Sequence, residues 1–282
     1  MTLLVFGRTG QVAAALRHQA DVVALGRDAA DLAQPADCAA AILHLKPAAV
    51  INAAAYTAVD RAETEESLAQ RVNADSPGAM ARACASLGIP FAHVSTDYVF
   101  PGTGTRPWRE DDPTDPQNAY GRSKLAGEVA VRAAGVQHII LRTAWVFSAH
   151  GTNFVKTMLR LSETRDSLRV VEDQIGCPTP AAAIAATLLT LTRAMRADAA
   201  VGGTYHYGGA PETSWADFAR TILALAGRPV TVTGIPSSDY PLPAARPLNA
   251  RLDCSALRTA FGVVQPDWAT ALPQIIKETS RD

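Results

Sequence analysis

The sequence predicts an α/β fold: a doubly wound parallel sheet with a smaller, discontinuous C-terminal portion. Three observations predict it. Short β-rich runs alternate with alanine-rich helical stretches as far as residue 207, the pattern of a parallel sheet with helices on both faces. The chain opens on a strand, a glycine turn and a helix, Leu3-Leu4-Val5-Phe6-Gly7-Arg8-Thr9-Gly10-Gln11-Val12-Ala13. After residue 207 prolines recur, in Ile235-Pro236, Tyr240-Pro241-Leu242-Pro243 and Arg246-Pro247.

In chain order, apolar β-rich runs predict strands over 3–6, 22–25, 49–52, 91–95, 138–142, 168–171 and 204–207. Between them, helical spacing predicts helices over 11–17, 37–45, 63–71, 77–87, 120–134, 154–161 and 181–195. Segment 101–118 holds four prolines and two glycines among acids and Trp108, so an irregular loop is expected there. The region after 207 is expected to be loop-rich.

Composition narrows the function classes. The 282 residues are 48% hydrophobic and 19% charged, with a net charge of −1. That balance argues against a bulk nucleic-acid or anionic-membrane partner. The four cysteines form no Cys-x-x-Cys pair and the six histidines are scattered, so neither a disulfide framework nor a metal site is expected. The first apolar run stops at Gly7, too short for a signal peptide. Ala181 to Leu191 is too short to span a bilayer. A cytoplasmic protein is expected.

The motifs carry the chemistry. In the opening turn, Gly7 and Gly10 permit a tight bend and bring backbone N–H groups toward a pyrophosphate at the helix N-terminus. Arg8, Gln11 and Val12 belong to the same turn, and Ala13 takes the small position where helix meets strand. The second strand ends at Leu25-Gly26-Arg27. An arginine there accommodates a 2′-phosphate where an acid would hold a ribose diol, so Arg27 points to NADPH, with NADH the alternative. Asp31 and Leu32 are candidates for the adenine pocket. Ala53, Ala54 and Ala55 would let a cofactor lie across the sheet edge. These features make a Rossmann-type sheet the expectation.

Thr96 stands at the end of the fourth strand, where open α/β sheets place ligands. Tyr120 and Lys124 are four apart on a predicted helix and so share a face. A lysine beside a tyrosine is expected to lower the phenol's pKa, giving an acid/base suited to carbonyl reduction.

In this order, the residues resemble the extended short-chain dehydrogenase/reductases. The resemblance covers nearly the whole chain. It runs through Phe6-Gly7-Arg8-Thr9-Gly10-Gln11-Val12, Asn52 to Asp60, Ser95 to Gly104, Tyr120 to Glu128, Arg142 to Val146, Asn153 to Leu161, Asp173 to Thr179 and Arg246-Pro247-Leu248-Asn249. Within the family these stretches are similar to the branch that reduces dTDP-linked 4-keto-6-deoxy sugars to dTDP-L-rhamnose. The resemblance implies that Tyr120 protonates the reacting oxygen, that Lys124 holds the nicotinamide ribose, and that Thr96 and Asp97 contact the substrate. It also implies substrate contacts for Trp145, Asn153 and Arg246, the last with a structural ion pair as its alternative. Some members carry a first-helix glutamate that helps bind a magnesium ion bridging a dimer. Ala15 stands there in this chain, so no metal is assigned, and a homodimer stays open.

The resemblance implies a dinucleotide-binding domain over 1–150 and 181–207 and a nucleotide-sugar domain over 151–180 and 208–282. Three alternatives remain at this point: another nucleotide-sugar 4-ketoreductase, an epimerase or dehydratase of the same fold, and a non-catalytic regulatory subunit. A dehydratase would carry an Asp-Glu pair after the threonine, whereas Asp97 is followed by Tyr98.

Overall fold

The computed structural model describes residues 2–279. Its centre is a six-stranded parallel sheet containing β1 (Leu3–Phe6), β2 (Val22–Leu25), β3 (Ala49–Asn52), β4 (Phe91–Thr96), β5 (His138–Thr143) and the strand Gly203–His206. Read across the sheet, the order is Gly203–His206, β5, β4, β3, β1, β2. β1 is flanked by β2 on one side and β3 on the other. The chain therefore changes direction across the sheet at β1, and the crevice above that switch point is where such sheets bind ligands.

The helices are α1 (Gln11–Gln19), α2 (Pro35–Leu45), α3 (Val59–Ala62), α4 (Glu66–Gln70), α5 (Ser76–Leu87), α6 (Ala119–Ala133), α7 (Phe154–Leu161), α8 (Ala181–Ala197), α9 (Trp215–Leu225), α10 (Ser255–Phe261) and α11 (Trp268–Thr279). Strand alternation explains the two layers. Val5, Ile51, Ala92, Ile139 and Leu141 pack with Leu16 of α1 and Ile184, Leu188 and Leu191 of α8. Leu4, Phe6, Val50, Phe91 and Ile140 face the other way, onto Ile42, Met80, Cys84 and Val131. Burying a side chain of this size contributes roughly 1.5–3 kcal/mol.

Helix expected over 63–71 is interrupted. α3 and α4 are separate, and a π turn at Arg71–Asp75 leads into α5. Asn73 sits within this π turn. Its side chain accepts from Tyr56 N (2.8 Å) and donates to Tyr56 O and Ser123 Oγ (3.0 Å each). A Cβ at Gly127 would collide with the Asn73 carbonyl, so α6 approaches the turn closely.

The C-terminal region holds more helix than expected. α9 and α11 pack with α7 and the strand Ser167–Val171 around Phe147, Phe218, Trp268 and Leu272. Ser167–Val171 pairs with Thr231–Ile235 instead of joining the main sheet. The prolines noted above lie in connections, at 236, 241, 243 and 247. α10 departs from the expected division of the chain, since its Leu257 belongs to the sheet's own core. The segment 101–118 is irregular, with an isolated bridge from Trp108 to Leu252.

Candidate active site

An open cleft of about 1210 Å³ lies over the C-terminal ends of the strands. It brings together Gly7, Arg8, Gly10, Gln11, Val12, Arg27, Asp31, Leu32, Ala53 to Ala55, Thr96, Asp97, Tyr120, Lys124 and Trp145. Asn153 and Arg246 do not line it. Asn153 caps α7, accepting from Lys156 N (3.1 Å), and donates to Gln11 Oε1 (3.0 Å). Arg246 pairs with Asp60 at 2.8 Å, the structural alternative named for it above.

One end of the cleft is a cradle. Gly7 has φ of +108°, and a Cβ there would sit 3.3 Å from Ala13 Cβ, so the turn needs glycine. Gly10 caps α1, and nothing lies within 4 Å of where its Cβ would stand. The helix N-terminus thus faces open space bounded by glycine backbone, which fits a pyrophosphate. Arg8 reaches over Gly26 to Asp28 at 3.0 Å, and Arg27 is exposed at the rim. Asp31 accepts from Ala33 N (2.9 Å), which holds the turn under the rim.

At the other end the reactive groups converge. Asn118 caps α6 by accepting from Gly121 N (2.8 Å). A Cβ at Gly121 would strike the Tyr98 carbonyl, so glycine lets α6 press against the turn after β4. That contact seats Tyr120 against Tyr98, edge to face at 5.4 Å. Thr96 Oγ1 accepts from Tyr98 N (3.2 Å) and donates to Asp97 Oδ1 (3.0 Å).

Burial governs the protonation states. It pushes Tyr120 up to about 12, with the Thr96 hydroxyl opposing. The lowering expected from Lys124 is not what the geometry delivers. Lys124 Nζ donates to Val94 O (2.7 Å) and meets His93 Nε2 at 3.3 Å, and burial brings it down to about 8. Burial likewise lifts Asp97 to about 7. Tyr120 therefore keeps its proton at neutral pH.

Among the described residues, two atoms of the cleft, Asp97 Oδ2 and Thr143 Oγ1, are buried with no hydrogen-bond partner within the protein. Both residues line the cleft, and Thr143 is in register with Thr96 across β4 and β5. A buried unsatisfied group costs about 1–3 kcal/mol, so the pair is fitted to a polar ligand. Sequence reasoning missed Thr143, although it ends a strand just as Thr96 does. It also missed Trp215, which stacks on Trp145 at 3.5 Å and 10°. Trp145 holds a left-handed φ of +47° over Gly176, whose absent Cβ would lie 2.5 Å from the indole.

The comparisons with known proteins agree with one another. The family model described as the RmlD substrate binding domain matches residues 1–281. A dTDP-4-dehydrorhamnose reductase of Sinorhizobium fredii is 44% identical, over 98% of this chain and 97% of that protein. The crystal structure of a dTDP-4-dehydrorhamnose reductase from Clostridium acetobutylicum has a TM-score of 0.92 and 35% identity, covering 98% of this chain and 99% of that one. The dTDP-4-dehydrorhamnose reductase of Bacillus anthracis, solved in complex with NADP, has a TM-score of 0.92 and 32% identity over 99% of both chains.

Proposed function

This chain belongs to the RmlD substrate binding domain family, and on that premise we propose that it reduces the C4 ketone of dTDP-4-dehydro-6-deoxy-L-mannose. The product is dTDP-L-rhamnose and the reductant NADPH, NADH being the alternative. The full-length similarity to dTDP-4-dehydrorhamnose reductases supports the reaction, and the NADP complex of a relative supports the cofactor. One observation carries the reading from the site itself. A half-buried, protonated Tyr120 and two unpartnered polar atoms share one cleft with a glycine cradle at a helix N-terminus.

NADPH, when bound, supplies the hydride that reduces the ketone carbon. The cradle of Gly7, Arg8, Gly10, Gln11 and Val12 would hold the pyrophosphate, Arg27 the 2′-phosphate, Asp31 and Leu32 the adenine side, and Ala53 to Ala55 the path between. Tyr120 gives its phenolic proton to the reacting oxygen, which stays on C4 as the hydroxyl of the product. Thr96 orients that oxygen, and Lys124 holds the ribose and steadies the phenolate left behind. Asp97, Thr143 and the Trp145–Trp215 stack would receive the sugar nucleotide. Asn153 serves indirectly by fixing Gln11, and Arg246 by tying the segment around Ala244 to Asp60.

We assign residues 1–150 and 181–207 to cofactor binding and 151–180 and 208–282 to the sugar nucleotide, with α10 as a return onto the first lobe. The core around Phe147, Phe218 and Trp268 supports a separate second lobe. Among the described residues no helix is long and apolar enough to cross a membrane. The four buried, unpaired cysteines support a reducing, cytoplasmic location. A homodimer without a metal bridge is the assembly this reading allows, and light scattering decides it. The reaction is tested by NADPH consumption with defined dTDP- and UDP-linked 4-keto sugars. Consumption with the dTDP-linked 4-keto-6-deoxy sugar is expected. Absence of turnover on it would refute the proposal.

A further inference from the structure

Behind Lys124 lies a buried polar chain. His93, at the middle of β4, is fully buried and does not line the cleft. Its Nε2 meets Lys124 Nζ at 3.3 Å, and its Nδ1 meets Asn52 Nδ2 at 3.1 Å. Asn52 is its register partner on β3 and is itself fully buried. The Asn52 amide is oriented by a third contact, since its Oδ1 accepts from Ala54 N at 3.1 Å. Flipping the amide would set two donors, Nδ2 and the Ala54 N–H, against each other.

Proton accounting then follows along the chain. Asn52 Nδ2 can only donate, so His93 Nδ1 must accept. Burial keeps the imidazole neutral, so its single proton sits on Nε2. That N–H points at Lys124 Nζ. An ammonium has no lone pair with which to accept it, whereas a neutral amine has one.

We propose that Asn52 and His93 are a positioning pair for Lys124, which they orient by one contact while disfavouring its ammonium form by presenting an N–H instead of a lone pair. The inference rests on the reductase reading only for the duty assigned to Lys124. The surroundings leave room for such tuning. On its own helix Lys124 faces Tyr120 and Glu128, and Glu128 is tied to Arg142 of β5 at 2.7 Å. Asp97 and Tyr98 follow β4, and Arg71 and Asp75 of the π turn are exposed. Glu128 favours the charged lysine and burial opposes it more strongly, so the direction of the His93 proton adds to burial against the ammonium. The strand interior hid this pair from sequence reasoning, because one apolar-run histidine reads as core.

Nitrogen-15 spectra of the histidines, with His93→Gln identifying the resonance, test the chain in the wild-type protein. We expect the proton on Nε2, and a proton on Nδ1 would overturn the inference. Asn52→Asp replaces the donor with an acceptor, moves the imidazole proton to Nδ1 and turns Nε2 into an acceptor for the ammonium. Asn52→Leu frees Nδ1 without adding charge. In each variant that folds, the pH midpoint of Lys124, read from lysine side-chain carbon resonances, should rise by about one unit or more. A midpoint unmoved in a folded Asn52→Leu protein would also overturn it, because a purely structural pair predicts no shift. The pH limb of kcat separates the two readings. A Lys124 midpoint that moves while kcat keeps its limb supports the positioning pair and refutes the catalytic duty of Lys124.

Discussion

Removing Glu128 should destabilise the protein more than any other single polar change near the site. Glu128 is fully buried, and its oxygens accept from Ser95 Oγ (2.6 Å), Arg142 Nε (2.9 Å), Arg142 Nη2 (2.7 Å) and Arg132 Nη2 (2.8 Å). Arg142 is only 3% exposed, and its remaining polar neighbours, Glu110 O and His206 Nε2, lie at 3.3 and 3.4 Å. Glu128→Leu therefore strands a buried guanidinium, a situation that costs about 3–5 kcal/mol. For a chain of this size that corresponds to a loss of roughly 5–8 °C in Tm. The double variant Glu128→Leu/Arg142→Met removes both charges and should recover most of the loss. The Arg142 guanidinium holds the Glu128 carboxyl below its usual range despite burial. The pair's stability is thus present above the unfolded-state pKa of 4.5 and is lost as pH falls through the lower folded value. Thermal and urea unfolding of the three proteins between pH 2 and 8 measure this. A single variant that loses less than about 1 kcal/mol, or a double variant no better than the single, would refute the reasoning.

Asp97→Asn should show the opposite pH dependence. With its folded pKa raised to about 7 from 3.8, the contribution of Asp97 is intact below 3.8 and fades as pH rises through about 7. The asparagine variant should therefore gain relative stability over that window, approaching about 4 kcal/mol, and a pH-independent difference would contradict it. Arg27→Ala should lower kcat/KM for NADPH far more than for NADH, and an unchanged ratio would remove Arg27 from cofactor choice. Gly121→Ala should lower both kcat and Tm, because the new methyl meets the Tyr98 carbonyl; kinetics matching wild type would show that α6 has room to move.

Much of this was legible because alternating apolar runs in a parallel sheet leave little ambiguity. The strands at β1, β2 and β3 start and stop where the residue pattern does, and α7 coincides with the helix expected over 154–161. The cleft residues from Gly7 to Tyr120 converge because each ends a strand, starts a helix or lies in the connection between the two. What escaped lies in long-range contacts. The helix expected over 63–71 begins only at Glu66 and runs on through a π turn into α5, where Asn73 meets Tyr56 and Ser123, distant partners that no local pattern announces. α9 had a legible signal, since Ser214 accepts from Asp217 N as its cap (3.0 Å), but the nearby prolines outweighed it. The raised pKa of Tyr120 was not legible either. Spacing alone places Lys124 on the tyrosine's face, while the strand behind it, through Val94 and His93, decides where its protons point.

The central claim is that Tyr120 donates the proton that completes carbonyl reduction. Single-turnover reduction of dTDP-4-dehydro-6-deoxy-L-mannose by NADPH, compared between the wild type and Tyr120→Phe, tests it most directly. The account predicts a rate lower by about 10²–10⁴-fold with NADPH affinity nearly unchanged. A phenylalanine variant that reduces the ketone at close to the wild-type rate would contradict it.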